Sequence, residues 1–132
     1  MIMARIYLYR GKTAEELQAL SPAEFQKMVP SRQRRSLKRQ GMVYKELQEK
    51  VERIRKKDSA KVIRTDTREA VILPSWLGLR FAVHNGKEFK DIKILPEMIG
   101  HRLGEYVFST KRVQHSAPGI RATRGSKFLS VK

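Results

Sequence analysis

The sequence predicts an α+β fold: a small antiparallel sheet packed with short helices, carrying a basic N-terminal arm and an extended basic C-terminal tail. Three observations predict it. Helix-start signals and one long stretch of helical periodicity fill the first half of the chain, short Val/Ile/Phe-rich runs separated by turn residues follow, and periodicity disappears after Phe108. With 132 residues and 40% apolar composition, the chain suits one modest core rather than two domains.

Thr13 followed by Glu16, and Ser21-Pro22 followed by Glu24, each spell a capping box ahead of apolar residues, so two short helices are expected. Pro30 ends the second, because its ring cannot continue the turn. The run Arg32-Gln33-Arg34-Arg35-Ser36-Leu37-Lys38-Arg39 has a single apolar residue and is expected to form an arm lying on something anionic, without a core-facing stripe. From 43 to 57, Tyr44, Leu47, Val51 and Ile54 recur at spacings of three and four and predict a helix with one buried face. Glu46 with Lys50, Glu49 with Arg53 and Glu52 with Lys56 place acid before base at i, i+4 on its exposed side.

Residues 61–65, 69–73, 79–84 and 88–94 read as strands of one antiparallel sheet. Asn85-Gly86 marks a hairpin, since both residues tolerate positive φ. A two-residue turn would set Phe81 opposite Lys90, and a three-residue loop with a bulge at Gly86 would set it opposite Phe89; the second register is favoured. Residues 96–106 are expected to form a last short helix with Met98, Ile99 and Leu103 inward. Gly100 and Gly104 within it suit close backbone packing. The organisation is therefore a helical extension over 1–30, a basic arm over 31–42, an α+β core over 43–108 and a tail over 109–132.

Charge follows the same divisions. The net charge is +16, yet 1–30 carries only +1 and 65–108 is neutral, whereas 31–64 carries +9 and 109–132 carries +6 with no acid. A near-neutral core with two strongly basic regions is the distribution of a protein that grips a phosphate backbone. No stretch approaches the roughly 18 apolar residues of a spanning helix, so no membrane partner is expected. Residues 1–10 hold no cleavage pattern of a signal peptide, and a cytoplasmic location is expected. Without cysteine, neither a disulfide framework nor a thiolate metal site can form.

Chemistry has no foothold in the sequence. His84, His101 and His115 lack the i, i+4 spacing that places two imidazoles on one helical face for zinc, and Asp66 and Glu69 read as surface acids. No phosphate-binding or nucleophile-elbow motif occurs. Neither enzyme activity nor a cofactor is expected. A small basic ribonuclease and a DNA-binding regulator are the competing classes, separable by RNA turnover and by preference for duplex DNA; no helix-turn-helix spacing supports the second.

The ordered motifs are more specific. Arg32 to Arg39, Ile72-Leu73-Pro74, Ala82-Val83-His84-Asn85-Gly86-Lys87-Glu88-Phe89, Pro96-Glu97-Met98-Ile99-Gly100-His101 and Leu103-Gly104-Glu105 together closely resemble the small-subunit ribosomal protein nineteen family. The resemblance is to the archaeal and eukaryotic form, whose eukaryotic members carry the number fifteen. One departure stands out: Ser75-Trp76-Leu77-Gly78 replaces the common Glu-Met-Val-Gly, losing an acid and gaining an indole expected to be exposed or docking. The resemblance implies a place in the head of the small subunit, bound to ribosomal RNA and beside small-subunit protein thirteen and other head proteins. It also implies a tail near the decoding region and bound transfer RNA. The candidate RNA-binding residues are Arg32, Arg34, Arg35, Lys38, Arg39, Arg64, Arg68, His84, Asn85, Gly86, Lys87, His101, Arg102, Lys111, Arg112, Arg121, Arg124 and Lys127. Guanidinium forks take two phosphate oxygens, Lys acts as a point charge, and the 84–87 turn offers donors to 2′-hydroxyls.

Overall fold

Both capping boxes form. In the computed structural model, which describes residues 6–39, 41–58, 60–113, 115, 119, 122, 123 and 125, helix α1 spans Ala14–Ala19 and α2 spans Pro22–Met28. Thr13 N donates to Glu16 Oε2 at 2.9 Å and accepts in return at its hydroxyl; Ser21 and Glu24 repeat the exchange. The Ser21 backbone and hydroxyl hold the Glu24 carboxyl below the usual carboxylate range. A carboxylate held low when folded stabilises above its unfolded pKa, so this cap is lost as pH falls through the lowered value. Each helix buries one large residue, Leu17 and Phe25.

The basic run is not an arm free of the core. Ser31–Lys38 is helix α3, and its one apolar residue, Leu37, is 3% exposed among Leu17, Phe25 and Val29. A single Leu suffices because Arg34 lies on the same inward side, one turn away. Its Nε donates to Gln26 O at 3.0 Å, and its Nη2 to Lys27 O at 2.9 Å and Val29 O at 3.2 Å. These carbonyls end α2 and have no helical partner of their own, so one guanidinium caps α2 and anchors α3.

Helix α4, Met42–Lys57, buries Leu47 and Val51 as its periodicity predicts, with Tyr44 and Ile54 at the margins. Among the described residues its three acid-before-base pairs do not close to ion pairs; Lys50 Nζ instead donates to Arg64 O at 2.7 Å. The sheet is α4's floor and is mixed rather than antiparallel, with order β1 (Ile63–Thr65), β2 (Arg80–His84), β3 (Phe89–Lys93). β1 runs parallel to β2 because the chain between them, residues 66–79, is long enough to return to the same end before pairing.

Residues 69–73 do not form the expected strand. Their alternation is genuine, since Val71 faces the helical cluster and Ile72 the sheet cluster, but their backbone pairs with an irregular loop. Ile72 N donates to His101 O at 2.8 Å, Gly100 N to Ile72 O at 3.1 Å and Leu103 N to Ala70 O at 3.1 Å, leaving only an isolated bridge between Val71 and Arg102. Gly100, at φ +82°, bends that loop so that no ladder can continue and splits the expected 96–106 helix into 3₁₀ turns at Pro96–Met98 and Leu103–Tyr106. Ile99 and Leu103 still point inward, with Met98 partly buried.

The hairpin register matches neither expectation: Phe81 opposes Ile92 and His84 opposes Phe89, so four residues, 85–88, make the loop. Asn85 Oδ1 accepts from Lys87 N at 2.9 Å and Glu88 N at 2.8 Å, stabilising a longer turn in which only Gly86 uses positive φ. The shift turns Phe89 out of the core, where it is 45% exposed. Trp76 goes the other way. The indole expected at the surface is 2% exposed, packed on Phe81 with centroids 5.1 Å apart.

Arg68 closes the core. Its Nη1 donates to His84 O at 2.7 Å and its Nη2 to Gly104 O at 3.1 Å and to Val107 O. Arg68→Met should therefore destabilise by about 2–4 kcal/mol in urea unfolding, because three carbonyls lose their donors together. Gly100→Ala should cost about 1–2 kcal/mol from its positive φ. Its Cβ would also lie 2.8 Å from Tyr9 Oη, so adding Tyr9→Phe should restore only part of the loss.

Candidate nucleic-acid interface

Anchoring α3 by Leu37 and Arg34 leaves the rest of its cations outward. Arg32, Arg35 and Arg39 fall at i, i+3 and i+7 with Lys38 beside them, and all four are exposed. Among the described residues their side chains make no hydrogen bond or ion pair, and the helix contains no acid. Four unpaired cations on a short rigid element form a surface of strong positive potential.

Two of the candidates are committed to the fold. Arg34 and Arg68 each place three guanidinium N–H groups on main-chain carbonyls, out of five available. Arg102 is partly committed: its Nη2 donates to Ser36 Oγ at 2.8 Å, and Ser36 Oγ donates to Arg32 O at 3.1 Å, which ties α3 to the loop after Gly100. Between them lies a cleft of about 320 Å³ lined by Leu37, Arg39, Tyr44, Glu69 and Arg102. The Tyr44 hydroxyl is buried without a well-formed hydrogen bond, and that burial pushes its pKa up, with Gln48 offsetting only part of the effect.

The hairpin places a second group of candidates at one end of the sheet. His84 Nδ1 accepts from Gly86 N at 3.0 Å, so a neutral ring carries its proton on Nε2. Lys87 is exposed at the tip, and Asn85 spends its carbonyl oxygen on the turn. On β1 the Arg64 guanidinium lies over the Phe89 ring, 5.8 Å from its centroid. His101 stands apart, exposed and paired through Nδ1 with Glu105 at 2.8 Å, its ring edge-on to Tyr106. Lys111 and Arg112 are exposed beyond Val107, the last buried residue among those described, while Arg121, Arg124 and Lys127 lie outside the described residues.

Sequence reasoning missed the outer face of the sheet. Arg80 and Lys93 sit directly opposite each other there, and Phe89 shares that face with Asp91. The signal was present: Phe89, Asp91 and Lys93 share one parity along β3, so a face carrying Asp and Lys also carries Phe. Among the described residues no three His, Asp or Glu side chains converge as metal ligands would, and no helix is long and apolar enough to cross a membrane.

Comparison with known proteins agrees with the motifs. The family model of ribosomal protein S19 matches residues 35–115, from within α3 to beyond Val107. The small ribosomal subunit protein uS19 of Saccharolobus solfataricus is 50% identical over 129 residues, covering 96% of this chain and 91% of that protein. Its counterpart in Metallosphaera sedula is 47% identical over the same coverage. On a family match spanning more than half its length and on relatives this similar, the chain belongs to the ribosomal protein S19 family, structural components of the ribosome rather than enzymes.

Proposed function

We propose that this chain is a constituent of the small ribosomal subunit that binds ribosomal RNA in the subunit head, where it offsets the repulsion of closely packed phosphates. The observation that carries this reading is the exposed stripe of Arg32, Arg35, Lys38 and Arg39, which is acid-free and held rigidly by Leu37 and Arg34. Exposed Arg64, Lys87, Lys111 and Arg112 extend the positive surface along the sheet end and the start of the tail. Net charge of this size serves a polyanionic partner rather than solubility. Small-subunit protein thirteen and other head proteins are the proposed protein neighbours, and the tail is proposed to run toward the decoding region and bound transfer RNA. The relatives' name, small ribosomal subunit protein, supports the placement in that subunit.

Each phosphate neutralised contributes roughly 0.7–0.9 to the slope of log affinity against log salt. Replacing Arg32, Arg35 and Lys38 by Ala should flatten that slope by about 2–3 on ribosomal RNA fragments while leaving urea unfolding nearly unchanged. Arg34→Ala should do the reverse, lowering stability with little change in slope. Unchanged slope in the triple variant would remove α3 from the interface.

Truncation after Phe108 removes six bases and, among the described residues, no buried one; Val107 is the last of those that is buried, and Phe108 is 72% exposed. Thermal unfolding should stay within about 2 °C while co-sedimentation with small subunits weakens. A truncated protein that sediments as well as full length would show that the tail contributes nothing to assembly.

A further inference from the structure

The outer face of the sheet combines unpaired cations, which the α3 stripe also has, with an exposed aromatic ring, which the stripe lacks. Phe89 presents an exposed aromatic ring, bracketed by the His84 ring edge-on at 4.9 Å between centroids and by the Arg64 guanidinium at 5.8 Å. Among the described residues the Arg64 guanidinium donates to no acceptor, so its N–H groups face solvent unpaired. Arg80 and Lys93 oppose each other across β2 and β3, a like-charge pair that is unfavourable until an anion lies over it.

We infer that this face is a stacking site for an unpaired RNA nucleotide: the base stacks on Phe89, and the adjoining phosphates lie toward Arg64, Arg80 and Lys93. The inference rests on the RNA-binding reading above and deepens it from charge attraction to contact with a base. Stacking and cation–π geometry together suit a nucleobase, whose π-face meets the ring while its phosphate meets the guanidinium. His84 adds a donor: with Nδ1 held by Gly86 N, the neutral ring's N–H is Nε2–H. Charge complementarity selects RNA over an apolar protein surface, which would have to desolvate Arg64, Arg80 and Lys93 with only Asp91 among them.

The test uses the full chain and a single-stranded oligouridine of about 12 nucleotides, with a matched oligomer of abasic ribose phosphate. Phe89→Leu keeps an apolar side chain at an exposed position, and its thermal unfolding should stay within about 2 °C of the parent. It should bind oligouridine about five- to a hundredfold more weakly at an unchanged salt slope, and bind the abasic oligomer as the parent does. Phe89→Trp should retain binding within about twofold and lose indole emission on adding oligouridine, against a constant background from buried Trp76. Equal binding of oligouridine by Phe89→Leu and parent would overturn the stacking site and leave the RNA-binding reading standing, as would an equal loss on the abasic oligomer. Parent protein that binds neither oligomer nor ribosomal RNA would overturn both. Normal RNA binding by Phe89→Leu with lost co-sedimentation would mark the face as a protein contact instead.

Discussion

Arg68 is the residue through which the irregular half of this protein becomes a core. The segments it joins, the end of β2, the turn at Gly104 and the backbone at Val107, are not neighbours in any ladder, and their carbonyls have no strand or helix to satisfy them. A buried carbonyl without a donor is costly, so a fold built from 3₁₀ turns and loops needs donors from side chains. A planar guanidinium supplies several from one position, and the fit is reciprocal. A Cβ at Gly104 would sit 3.1 Å from Arg68 O, so the glycine lets the chain approach closely enough to be clamped.

The same residue type therefore does two opposite jobs. Arg34 and Arg68 turn inward and act as main-chain donors, while Arg32, Arg35 and Arg39 turn outward with no partner among the described residues. Arg34 makes the outward stripe effective: a helix of eight residues with one buried leucine would fray alone, and a frayed helix presents its cations over a wide volume. Held at two points, by Arg34 on the carbonyls ending α2 and by Arg102 on Ser36, α3 presents them in fixed register.

What the sequence made legible was whatever local chemistry decides. The two capping boxes, the α4 periodicity and the helix stop at Pro30 need only neighbours along the chain, and all three stand in the structure. What depended on distant partners was harder to read. The parallel pairing of β1, the loop that takes the place of a strand beside 69–73, and the inward turn of Arg34 and Arg68 are set by segments up to 39 residues away. The hairpin register was missed for a subtler reason, since Asn85 serves as an acceptor for two N–H groups rather than as a positive-φ residue. Trp76 reads as a surface oddity until Phe81 is placed beneath it. For the candidate interface, the cations were legible as a group, but which of them were free to act was not.

The reach of the Arg68 clamp also orders the birth of the protein. Gly104 and Val107 follow Arg68 by 36 and 39 residues. At ordinary rates of elongation that gap is on the order of 2 to 8 seconds of synthesis. During that interval the capping boxes, the Arg34 contacts between α2 and α3, the hairpin and the His84 carbonyl bond can form, but the carbonyls at residues 104 and 107 are not yet there for Arg68 to hold. The nascent chain thus carries its basic helix before it has a closed interior. It emerges as a polycation first and as a folded domain second.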